Sequence, residues 1–161
     1  MKHVTAYALA SQGQRLLQLG VALFLITSFE GFAIPYLAAP RLGVSAHSLM
    51  GLLGVMFIAL GLVWPRLDLG GTASSVAFWF LIYSGLAIVA AFLIAAFLGA
   101  GNTTMPLAAG AAHGTALQET VIKVVAYSSA PTGIISFALI LWGLRGKEES
   151  RAAERGIASD R

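Results

Sequence analysis

Between Arg41 and Arg66 the chain carries no formal charge, and from Asp68 to Glu119 it again carries none. In lipid, backbone N–H and C=O groups must bond one another, which restricts spanning segments to helices or closed barrels. A helical span needs about 20 mainly apolar residues. The first stretch holds one such helix. The second is too long for one, so it must contain a helix and then a polar, glycine-rich connection, Gly99 to Gly114. The run from Leu16 to Phe29, continuing past Glu30 to Pro35, adds a helix, and the run between Lys123 and Arg145 adds another. The predicted fold is therefore all-α, an integral membrane four-helix transmembrane bundle. Its helices fall at roughly 15–35, 46–65, 74–98 and 118–144, and a charged tail over 146–161 follows the spanning domain, 1–145.

Composition closes the alternatives. The 161 residues are 58% hydrophobic and 11% charged, against about 25% charged in soluble domains. That excludes both a small soluble domain and a disordered chain. The net charge is +3, but half of the ten basic residues (Arg145, Lys147, Arg151, Arg155, Arg161) lie in the tail. No basic-aromatic motif accompanies them, so no nucleic acid is expected as a partner. With no cysteine, His3, His47 and His113 are the only strong soft-metal ligands.

Four spans put both termini on the side of the turn between helices two and three. Lys2, Arg15, Arg66 and the five tail residues share that side, and only Arg41 and Lys123 face the other. The positive-inside rule then predicts cytoplasmic termini, in a multi-pass protein of a bacterial-type inner membrane. The first segment has the apolar core of a signal peptide. Glu30 and the Phe32-Ala33-Ile34-Pro35 continuation give no good cleavage site, and a retained helix is expected.

Polar groups at membrane depth need a reason. His47 opens helix two, and positions 47, 51, 54, 58 and 61 share one face. Gly51, Gly54 and Gly61 make that face smooth. An imidazole above a smooth face suits the axial ligand of a flat macrocycle; the glycines equally suit close helix packing, and the histidine an interfacial hydrogen bond. Glu30 and Arg41 flank a proline-broken turn and are expected to form an ion pair. Glu119 and Lys123, four apart with the acid first, suit a helical ion pair, although Glu119 could also support a histidine. His113 sits in the glycine-rich connection, which is a lid, a re-entrant loop or a connector.

Beyond this the residues resemble a family. Gln12-Gly13-Gln14-Arg15-Leu16 and Gly31-Phe32-Ala33-Ile34-Pro35 are similar to the hydroxylaminobenzene mutases. So are Arg41, Gly43, Ser45-Ala46-His47, Leu60-Gly61-Leu62-Val63-Trp64-Pro65 and Phe78-Trp79 with Tyr83. Gly99-Ala100-Gly101, Met105-Pro106-Leu107-Ala108-Ala109-Gly110, Gln118-Glu119 and Leu141-Trp142-Gly143-Leu144-Arg145 complete the set. The matches keep their order along nearly the whole chain to Arg145. That family is similar in turn to styrene oxide isomerase, a four-helix membrane enzyme that forms trimers and binds haem b through a histidine opening its second helix.

The resemblance implies a haem b held by His47 beside Gly51 and Gly54, in a homo-oligomer, a trimer, embedded in membrane lipid. It implies a small aromatic substrate, with N-phenylhydroxylamine rearranged to 2-aminophenol and ferric haem acting as Lewis acid. Tyr83 and Glu119 are the candidate catalytic residues; Leu53, Trp79, Ala87 and Ile88 are the candidate pocket lining. The family carries asparagine at Leu53 and near Ile88, positions that line the styrene oxide isomerase pocket. Their loss here leaves open another small aromatic, such as an epoxide, or a non-enzymatic haem-binding membrane protein.

Overall fold

The structure is a computed structural model that describes the backbone of residues 2–159 and the side chains of residues 6–145. Its helices are α1 (Lys2–Ala33), α2 (Pro40–Val63), α3 (Gly71–Leu98), the one-turn α4 (Pro106–Ala109) and α5 (Ala116–Ser159). Four of them, over Ala6–Tyr36, Pro40–Arg66, Gly71–Leu98 and Ala116–Arg145, are long and apolar enough to cross a membrane. Among the described residues there is no strand. The side chains of the tail over 146–161, with four of the eight basic residues that orient the chain, lie outside the described residues, as do those of Lys2 and His3.

Proline and glycine set the ends. Pro35 sits in a 3-10 turn that stops α1, Pro40 supplies the first turn of α2, and Pro65 lies in the 3-10 turn that ends it. Proline needs no N–H there, and its fixed φ suits a helix start. Gly99 closes α3 in the left-handed region, φ 63° and ψ 39°, donating its N–H to Ala95 O; only glycine adopts this readily. At the start of α5, Thr115 and Gln118 form a capping box. Gln118 N–H donates to Thr115 Oγ1 at 3.3 Å and Thr115 N–H to Gln118 Oε1 at 2.8 Å.

The helices pack in a row. α1 lies on α2, α2 on α3 and α3 on α5, with α1 only brushing α3. The α1–α2 seam is built from glycine at heptad spacing on both antiparallel helices. A β-carbon on Gly13 would lie 2.8 Å from Gly61 O, and one on Gly20 2.7 Å from Gly54 O. Such backbone contact is how helices associate where lipid removes the hydrophobic drive. Beside Gly13, the buried Trp64 donates its indole N–H to Gln12 Oε1 at 2.9 Å and meets Phe78 edge-on.

The α3–α5 seam is stitched by hydroxyls instead. Ser136 Oγ donates to Ala77 O and Ser84 Oγ to Ser129 O, each at 2.8 Å. Pro131 interrupts α5 and cannot donate to the preceding turn. Next to that gap, Thr132 Oγ1 donates to Ser128 O and Ser129 O, and Ser84 Oγ also reaches Ser129 O. Outward faces carry Phe29, Phe32, Leu52, Leu62, Phe97 and Ile134, the surface a lipid environment asks for.

Candidate functional site

His47 lies two turns into α2, where continuation of the glycine seam brings it against the end of α1. Its Nδ1 is 2.8 Å from Glu30 Oε2. The histidine side chain is 40% exposed and the glutamate 12%. Gly31 makes room for the ring, since a β-carbon there would sit 3.2 Å from His47 Cε1. The expected Glu30–Arg41 ion pair does not form. Arg41 turns to the far connection and donates from Nη2 to Leu107 O at 3.1 Å. Arg41, in the first turn of α2, is held at Leu107 O, while His47 two turns on meets the acid.

The smooth face expected below His47 is divided. Gly51 has no neighbour within 4 Å of its would-be β-carbon and is open. Gly54 is not: Gly20 O stands 3.1 Å and the Phe24 ring 3.2 Å from it. Its expected place beside a macrocycle is corrected to the helix seam, as is that of Gly61.

Leu53 and Ile88 do come together. With Leu49, Met56, Ser84 and Phe137 they line an apolar groove of about 240 Å³ between α2, α3 and α5. Leu53 reaches it by lying against Gly85, where a β-carbon would collide with its methyl groups. Ser84 is the one hydroxyl in the lining. Leu53 follows His47 by six positions, roughly 240° around a helix with 3.6 residues per turn. The groove and the imidazole therefore occupy different faces of α2.

Tyr83, Trp79 and Ala87 lie on the opposite side of α3, lining a second, shallower depression with Leu86 and Val125. The single pocket expected from Leu53, Trp79, Ala87 and Ile88 is thus split between two faces. Ser128 Oγ donates to Val125 O at 2.8 Å, so the 2.8 Å contact between Tyr83 and Ser128 uses the tyrosine proton. That phenol is already engaged.

Glu119 is also engaged. Its Oε1 accepts from Gly101 N–H at 2.7 Å and Gly114 N–H at 3.1 Å; its Oε2 accepts from the Thr103 N–H and hydroxyl. The carboxylate gathers both ends of the 99–115 connection and has no ion pair with Lys123, whose ammonium instead lies 5.8 Å from the Tyr127 ring centroid. Glu119 therefore positions a loop and presents no free oxygen to a substrate, a correction to its expected catalytic place. His113 is exposed on that loop. Among the described residues no three His, Cys, Asp or Glu side chains cluster to hold a metal ion.

A family model described as styrene oxide isomerase matches residues 12–145. The chain belongs to the styrene oxide isomerase family. It is 47% identical over 150 residues to hydroxylaminobenzene mutase HabB of Ectopseudomonas oleovorans, covering 92% of this chain and 91% of the relative. It is 35% identical over 126 residues to hydroxylaminobenzene mutase HabA of the same organism, covering 78% and 93%. No solved structure matches. These relatives are mutases, and the chain is an enzyme of the isomerase class.

Sequence reasoning missed two partners in this family member, Glu30 for His47 and the loop amides for Glu119. The heptad glycines Gly13, Gly20, Gly54 and Gly61 carried a usable signal for the first, because they fix which part of α1 faces His47. Nothing at short range pointed to the second.

Proposed function

We propose that the chain is a membrane isomerase that rearranges an arylhydroxylamine, of the N-phenylhydroxylamine to 2-aminophenol type. The observation that carries this reading is the 47% identity to a hydroxylaminobenzene mutase across 92% of the chain. The reaction breaks the N–O bond, forms a C–O bond at the ortho carbon, and moves the proton displaced there to nitrogen. Nothing is consumed, so no redox partner is required.

The groove lined by Leu53, Met56, Ile88 and Phe137 is the proposed aryl site. An apolar cavity of about 150 Å³ holds benzene, and this one, at about 240 Å³, has room for a ring with a short substituent. Its lining is almost entirely apolar, and such walls disfavour water beside a reactive intermediate. Ser84 Oγ donates to Ser129 O, which leaves its lone pairs to accept a substrate N–H or O–H.

The residues present fit a haem b. Among the described residues His47 Nε2 meets no hydrogen-bond partner while Nδ1 is held, and Gly51, one turn on, leaves open space. His47 is the residue proposed to hold the haem iron, through Nε2. When bound, the haem would supply Lewis acidity toward the N–O oxygen. His47 and the groove lie on different faces of α2; the proposed assembly is a trimer, in which copies of the chain would complete the site between them.

A second reading has its own observation. Leu53 and Ile88 give the groove no amide, and a lining that asks for few hydrogen bonds suits an aryl epoxide. Purified protein assayed with N-phenylhydroxylamine and with styrene oxide decides between the two. Formation of 2-aminophenol is the expected result; turnover of the epoxide alone selects the second reading, and turnover of neither overturns both.

A further inference from the structure

Glu30 occupies a costly position. It sits in the apolar end of α1 with Oε1 buried and without a partner, while Oε2 reaches only His47. Arg41, the nearest cation along the chain, is spent on Leu107 O. A carboxylate desolvated in this way is expensive unless its remaining contact does something no apolar side chain could.

We infer that Glu30 is a positioning residue that fixes His47 as its Nδ1–H tautomer and presents Nε2 as a bare donor atom. An ionised carboxylate can only accept, so with Glu30 ionised the 2.8 Å contact takes its hydrogen from Nδ1. A neutral imidazole has one N–H, and its other nitrogen then carries the free lone pair. Gly31 completes the arrangement, because a side chain there would press on Cε1 and turn the ring. The consequence for an iron bound at Nε2 rests on the haem reading above. An anionic acceptor would strengthen the donor and would favour ferric over ferrous iron, the state in which a bound haem would supply Lewis acidity.

The test separates ring, charge and metal. Histidine is labelled with ¹⁵N in the full-length protein in detergent, and the His47 signals are assigned by their loss in His47→Ala. The wild type is expected to show protonated Nδ1 and unprotonated Nε2; Glu30→Leu is expected to show a tautomer mixture. Glu30→Gln keeps an acceptor oxygen and should retain the tautomer. In protein reconstituted with haem, Glu30→Leu should bind it about 10–100-fold more weakly. Glu30→Gln should bind it more nearly as the wild type does, with a more positive ferric/ferrous midpoint potential.

A doubly protonated or Nε2–H ring in the wild type overturns the inference, and so does a Glu30→Leu variant with unchanged tautomer, affinity and potential. Wild-type protein that shows the Nδ1–H ring yet takes up no haem overturns the haem reading and leaves the hold of Glu30 on His47 standing.

Discussion

Gly20 and Gly54 face each other at backbone distance: a β-carbon on the first would stand 2.7 Å from the carbonyl oxygen of the second, and one on the second 3.1 Å from that of the first. Gly51, three residues before Gly54, has nothing within 4 Å. Gly20→Val should therefore cost about 1–3 kcal/mol, the range for forced overpacking, read as a lower unfolding midpoint in detergent. Gly51→Ala should fold as well as the wild type. If it falls as far as Gly20→Val, the seam has been drawn on the wrong glycines.

Replacing Glu119 with alanine removes the acceptor of the buried Gly101 amide and of the part-buried Thr103 and Gly114 amides. At about 1–3 kcal/mol for each unsatisfied group, the connection should open. Hydrogen exchange at these three amides should accelerate well beyond that of the α3 core. Lys123→Ala, by contrast, should stay within about 0.5 kcal/mol of the wild type, because the ion pair its spacing invites is not made.

Tyr83 distinguishes the two faces of α3. Tyr83→Phe loses one hydrogen bond to Ser128, worth about 1 kcal/mol. With substrate in the Leu53–Ile88 groove, kcat should change less than twofold. A loss of kcat by two orders of magnitude would move the chemistry to the Trp79–Tyr83 face.

Leu53→Asn places an amide in the groove against Gly85. Burying it should cost about 1–3 kcal/mol and shift the kcat/KM ratio toward the arylhydroxylamine over the epoxide, since the new group can bond an N–OH. An unchanged ratio would remove Leu53 from the substrate's surroundings.

We propose that both termini are cytoplasmic, from the excess of Lys and Arg on that side. Protease added to intact spheroplasts should leave the tail beyond Arg145 whole and cut it only after the membrane is opened. Cleavage from outside reverses the orientation.

The four helices were legible because lipid leaves the backbone so few options: a charge-free run of spanning length has to be helical. Pairings were less legible. Glu30 and Arg41 look like partners in a linear reading, yet the register of α1 on α2 joins Glu30 to His47. Glu119 and Lys123 meet the spacing rule for an ion pair, but a carboxylate offered four N–H and O–H donors by a glycine-rich loop takes those. Leu53 and Ile88 converge on one groove, while Trp79 and Ala87 are turned away by the helical repeat of α3.

The strongest packing joins helices that are also neighbours along the chain, α1 with α2 and α3 with α5. Synthesis can then proceed hairpin by hairpin, with little waiting for distant segments. Glu30, Gly31 and His47 all belong to the first hairpin, so their contact can be made while α3 and α5 are still to be translated.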